Sequence, residues 1–331
     1  MDIKIFEVLS EQKLITKEEL NAVKVFNEQE PVSVHRDLLT ALSAGILLLI
    51  TGLGILIYEH IDTIGHDTII TLIALGFISC FIYCFRKSSG YSNKEVKSPN
   101  VWFDYILLLG ALLLLLFIGY IQYEYNVFGN RWGMAAFIPM IILFFTGYYF
   151  DHRGILSLAI TNLATWLGIT VTPIEILSAN DFSDERLIYS GLILGTVLIA
   201  ISMFTVKKMI KEHFAFTYKN FGAHILFISL TAGMIHFDDI YILWFLALTL
   251  ASLLMFRDAL KEKSFYFFVI TALYLFFALS YVIIKLLYYI SDDIGIFYLG
   301  LIYLIASGVG LIKVLMKYNK KIKSNDSLRQ E

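Results

Sequence analysis

Charge is what this sequence has least of. Only 16% of its 331 residues are Asp, Glu, Lys or Arg, where soluble chains carry about 25%. That scarcity excludes a water-soluble enzyme of two domains, the organisation that length alone would suggest. The formal net charge of −2 offers no basic footprint for nucleic acid. Two cysteines cannot build a disulfide scaffold. What fills the space is apolar. The hydrophobic share is 58% and the mean hydropathy is +0.72, too high for a disordered chain. The remaining class is a polytopic membrane protein.

A helix needs about 20 apolar residues to cross a hydrocarbon layer of about 30 Å. Ten runs qualify as candidates: Leu38–Tyr58, Thr68–Phe85, Trp102–Gln122, Trp132–Phe150, Gly154–Val171, Leu187–Val206, Phe221–Phe237, Ile240–Phe256, Phe265–Tyr288 and Ile294–Met316. A membrane barrel would show polar and apolar residues alternating. Leucine at every position from Leu112 to Leu116 shows the opposite. The fold class is therefore all-α, with about ten transmembrane helices. Gly154–Val171 is short and carries Thr161, Asn162, Thr165 and Thr170, so it reads as a buried or re-entrant span. Asp238 and Asp239 separate Phe221–Phe237 from Ile240–Phe256, so that pair reads as a hairpin rather than one long helix.

Lysine and arginine mark the cytoplasmic side of inner-membrane proteins. Alternate assignment of the loops puts 23 of the 26 cations on the side that holds both ends of the chain. The other side holds Arg131, Arg186 and Lys285 among many acids. The expectation is a multi-pass membrane protein with both termini cytoplasmic. No cleavable signal is expected, because the first apolar run follows 37 mostly polar residues. Three regions follow: a cytoplasmic helical arm (1–37), a ten-span domain (38–316) and a basic tail (317–331) expected to be disordered.

The arm reads as a short helical hairpin. Thr16-Lys17-Glu18-Glu19 has the form of a capping box that starts its second helix, from Lys17 to about Glu28. Under 40 residues the arm is too small to stand alone. It needs the membrane domain, a second copy or a partner protein to pack on, unless it is simply a solvated arm.

The arm pattern Leu9-x5-Ile15-Thr16-x-Glu18-Glu19-Leu20, the small-residue-rich run Leu38–Gly54 and the stretch Phe150-Asp151-His152-Arg153-Gly154 through Thr161 to Trp166-Leu167-Gly168 form one set. Together they resemble an uncharacterised bacterial family of predicted membrane proteins, domain of unknown function 2157, over about residues 5–150. The resemblance implies an integral membrane protein. It brings no catalytic residues and no cofactor.

An ionisable group inside a span costs about 2.5–3.5 kcal/mol on insertion scales and is a site hypothesis by default. The candidates for an intramembrane polar site are Asn162 with Thr161 and Thr165, Lys285, Asp104, His224 and His236. Each has a plain alternative. Asp104 and Lys285 can reach headgroups, the two histidines can be ordinary hydrogen-bonded residues, and the Asn–Thr cluster can join helices. Outside, Glu59, His60, Asp62, His66 and Asp67 share one loop, and His236, Asp238 and Asp239 share another. They lack dedicated metal spacing and read as a solvated acidic rim. Residues 172–186 suggest a short surface helix. Cys80 and Cys84, one turn apart, read as small core residues. Gly191 and Gly195 suit close helix contact within the chain. The motifs of phosphate loops, metalloproteases, nucleophile elbows and haem attachment are missing.

The leading functional expectation is a non-enzymatic scaffold, sensor or accessory protein in the lipid bilayer, with the arm as its interaction element. One alternative is a small-solute transporter of two inverted five-helix halves. Unequal loops and the lack of internal similarity between halves weigh against it. The other is a membrane enzyme acting on lipid-type substrates.

Overall fold

A computed structural model describes residues 6, 9–10, 14–16, 18–21, 40–42, 44–55, 65–171, 185–290 and 294–327. Among them every regular element is helical. The chain divides into two units, residues 1–75 and 76–331.

In the first unit the capping box is present as the sequence predicts. The Glu19 amide donates to Thr16 Oγ1 at 3.2 Å, and Glu19 Oε2 accepts from the Thr16 amide at 2.8 Å. These hydrogen bonds hold the Glu19 carboxyl below the usual carboxylate range. The rest of the expected second helix, the loop Glu59–Asp62 and the surface segment up to Asp184 lie outside the described residues. The first apolar helix, α1 (Thr40–Ile55), follows.

The other helices are α2 (His66–Lys87), α3 (Val101–Tyr125), α4 (Met134–Tyr149), α5 (Arg153–Val171), α6 (Glu185–Lys208), α7 (Ala215–His236), α8 (Tyr241–Lys261), α9 (Phe265–Ile290) and α10 (Ile294–Ser327). Where described, each of the ten apolar runs falls on one helix. Among the described residues, six helices are long and apolar enough to cross a membrane: α2, α3, α6, α8, α9 and α10. With 16 residues, α4 rises only about 24 Å. Asp238–Ile240 forms a single 3-10 turn, so α7 and α8 are indeed a hairpin. The last helix passes Met316 and runs to Ser327. Lys317 to Lys323 contains neither glycine nor proline to stop it.

In residues 76–331 successive helices pack together, and several apolar clusters join them. Cys84, Phe103, Leu107, Leu143 and Ile155 tie α2 through α5. Leu156, Leu198 and Tyr218 tie α5 to α6 and α7. Phe227, Leu248 and Ala278 tie α7 to α8 and α9. Cys84 is fully buried and both cysteines are free, as expected of core residues. The closest helix contact is α6 on α7. A Cβ on Gly195 would lie 2.6 Å from the Leu226 amide nitrogen, and one on Gly222 would lie 2.9 Å from the Gly195 carbonyl oxygen. Gly195 thus serves contact inside the chain.

Candidate functional site

Charge gathers where α4, α6 and α8 end. All three stop in the same way, with a backbone N–H reaching back five residues: His152 to Gly147, Ile210 to Thr205 and Ser264 to Ala259. This closure needs a left-handed residue just past the helix, normally glycine. Here Asp151, Met209 and Lys263 take it, at φ of 61°, 54° and 54°. Lys211 is left-handed too, at φ 51°. An L side chain pays about 1–2 kcal/mol for that conformation, so each needs support from its surroundings.

Asp151 has that support. Its side chain is 1% exposed, and Oδ1 accepts from Lys211 Nζ at 2.7 Å. His213 Nε2 lies 2.6 Å from the same oxygen, which places a proton on Nε2. Oδ2 accepts from the Val96 amide at 2.5 Å. The Lys211 ammonium is fully buried, over the rings of Tyr91 (5.3 Å) and Phe214 (5.7 Å). The Lys211 backbone N–H donates to the Asn93 carbonyl at 2.9 Å. One carboxylate therefore joins the α4–α5 turn, the α6–α7 turn and the 88–100 loop. The Tyr148 and Tyr218 hydroxyls meet at 2.9 Å between α4 and α7.

The neighbouring residue caps α5. His152 Nδ1 accepts from the Ile155 amide at 3.1 Å, and Nε2 lies 3.9 Å from Asp104 Oδ1. An accepting ring nitrogen requires the neutral imidazole. Burial lowers its pKa below the usual value, although Asp104 and Asp151 oppose the shift. The unfolded chain therefore binds this proton below about pH 6.5 while the fold does not. The stability His152 contributes is present above that pH and is lost as the pH falls. Thermal unfolding between pH 7 and 5 should show the loss, and His152→Asn, which keeps a capping acceptor, should flatten it. An unchanged pH slope in the variant would refute this assignment.

A second buried cation lies farther along the same end. Lys219 Nζ binds both Asp258 and Glu262, the latter at 2.7 Å, and sits 4.9 Å over the Phe267 ring. The pairing joins α7 to α8.

The seven side chains singled out in the sequence fall in five separate places. On α5, Thr161, Asn162 and Thr165 bond to the carbonyls of Ser157, Leu158 and Thr161 on their own helix, and both threonines are exposed on the bundle surface. Lys285 pairs with Asp238 and lies 4.0 Å over the Tyr241 ring. His236 Nε2 is 3.7 Å from Glu185. Asp104 accepts from Ser98 Oγ. His224 meets the Tyr274 hydroxyl at 3.0 Å. Among the described residues, no three His, Cys, Asp or Glu side chains gather to hold a metal ion.

Asp151, Lys211, His213, Lys219, Asp258 and Glu262 were not among the candidates. In the sequence Lys211 and Lys219 are two of the 23 cations on one side, and Asp151 stands inside the stretch that carries the family resemblance. A lone acid between Phe150 and His152 on the cation-rich side was the available signal.

Residues 7–156 match the model of a family described as a predicted membrane protein, DUF2157. The matched stretch includes Asp151 and His152 and stops before Lys211. No curated protein and no solved structure matches the chain.

Proposed function

We propose that this chain is a ten-span protein of the bacterial inner membrane with both ends cytoplasmic, and that it acts non-enzymatically as a scaffold, sensor or accessory. One observation carries the reading. Thr161, Asn162 and Thr165, the polar cluster of α5, bond only to the backbone of their own helix, while charged groups close on one another at the helix ends. Such an arrangement favours a fixed bundle over one that opens a path between two faces. The pairing of Asp151 with Lys211 supports a rigid platform on the basic side, where the arm (1–37) and the basic tail would engage a protein partner or a second copy.

The test uses Lys285→Ala and Asn162→Ala in purified protein. Asn162→Ala removes one side-chain hydrogen bond to the carbonyl of Leu158 on its own helix, a small change. Lys285→Ala removes a partly exposed ion pair and a cation–ring contact, about 1 kcal/mol. Both should lower the unfolding temperature by a few degrees, with solute flux in proteoliposomes equal to that of wild type. Flux that wild type supports and either variant abolishes would overturn the proposal in favour of transport.

A further inference from the structure

A groove of about 460 Å³ runs along the outer side of α6, α7 and α8 toward their basic end. That volume lies within the range of ligand pockets, about 300–1,000 Å³. Ile199, Met203, Leu226 and Leu254 make its walls apolar, and Arg257 and Lys261 stand at its mouth. Met203 and Leu254 are well exposed, so the groove opens sideways, toward lipid acyl chains rather than toward an enclosed interior. Lys219 offsets one of the two acids it binds there, Asp258 and Glu262, and Arg257 with Lys261 outweighs the other by a single net positive charge. Among the described residues no carboxylate pairs with Arg257 or Lys261. Helix register adds a third cation. Lys207 lies one turn beyond Met203 on the same stripe of α6, at the same end, and is exposed.

We infer that this groove binds one anionic phospholipid, its phosphate at Arg257 and Lys261 and one acyl chain along Met203 and Leu254. The argument is charge complementarity joined to shape. An apolar slot open to the bilayer ends in a surplus of positive charge at headgroup depth, the chemistry by which basic pockets between helices hold anionic lipid. A soluble anion would leave the slot empty, and a zwitterionic lipid would leave the surplus charge unmatched. The inference needs only that α6–α8 lie in a bilayer, so it stands or falls apart from the scaffold reading.

Native mass spectrometry of the full chain in detergent, titrated with phosphatidylglycerol or phosphatidylcholine, tests it. Each surface cation contributes about fivefold to the apparent affinity for an anionic lipid. The Arg257→Gln/Lys261→Gln variant should therefore bind phosphatidylglycerol about 30-fold more weakly than wild type. Leu254→Trp, which fills the slot and keeps both charges, should lose binding as well. Lys317→Gln/Lys320→Gln, with the same charge removed elsewhere on the basic side, should not. Equal affinity of wild type for the two lipids would overturn the inference. So would equal loss in the Lys317/Lys320 control, or unchanged binding in either groove variant.

Discussion

Replacing Asp151 with alanine should destabilise the basic end of the bundle by about 3–5 kcal/mol, the usual cost of stripping one partner from a buried ion pair. The reason lies in what remains. Lys211 keeps an ammonium with no solvent exposure and no carboxylate, and the Val96 amide loses its acceptor. Alanine must also hold the left-handed backbone of residue 151, which adds strain. Asparagine tolerates that backbone and still accepts a hydrogen bond, so Asp151→Asn isolates the loss of charge and should fall between. Two measurements check this. The unfolding temperature should drop, and trypsin should cut faster at Lys94 and Lys97, because the 88–100 loop is anchored through Asn93 and Val96. A paired Asp151→Asn/Lys211→Met change should recover part of the stability, since it removes the unpaired buried ammonium while asparagine keeps the left-handed backbone and an acceptor for the Val96 amide. Wild-type unfolding and cleavage in Asp151→Ala would show that the cluster holds nothing.

A methyl group at Gly195 should cost nearly as much. Three backbone atoms lie within 2.9 Å of the added Cβ: the Leu226 amide nitrogen, the Leu226 Cα and the Gly222 carbonyl oxygen. None can rotate away, so α6 and α7 must part along their whole contact. Overpacking costs about 1–3 kcal/mol and occasionally more, and a clash against backbone belongs at the upper end. Gly191→Ala should be milder, because the nearest obstacle is the rotatable Ser229 hydroxyl. Gly308→Ala on α10 meets open space and should be neutral or slightly stabilising, by up to about 1 kcal/mol. Unfolding temperatures of the three variants should rank in that order. Gly195→Ala behaving like Gly308→Ala would refute the backbone contact.

Legibility in the sequence followed distance along the chain. Helix positions were legible because each apolar run ends at charges or a turn, as Asp238 and Asp239 end two of them. The Thr16–Glu19 box was legible because its four residues contain both partners. Thr161 and Thr165 were harder. Their spacing suggests a polar face, yet a hydroxyl four residues along a helix reaches the carbonyl one turn back as easily as it reaches a neighbour, and that is where both go. The Asp151 cluster was not legible at all. Its partners stand 60 residues apart, and with no repeat or heptad to fix register, nothing in the order of residues says which loop cation meets which acid.

The brevity of α4 bears on the lipid around it. If its 16 residues form one of the ten crossings, the helix is about 6 Å shorter than a hydrocarbon layer of about 30 Å. Its partner α5, at 19 residues, is little longer. Trp132 and Tyr149 flank α4 with rings suited to the headgroup boundary. The membrane would then pinch at α4, at a cost of fractions of a kcal/mol per Å of hydrophobic mismatch. The protein would therefore partition into thinner patches of bilayer and draw in shorter acyl chains on the α4–α5 side.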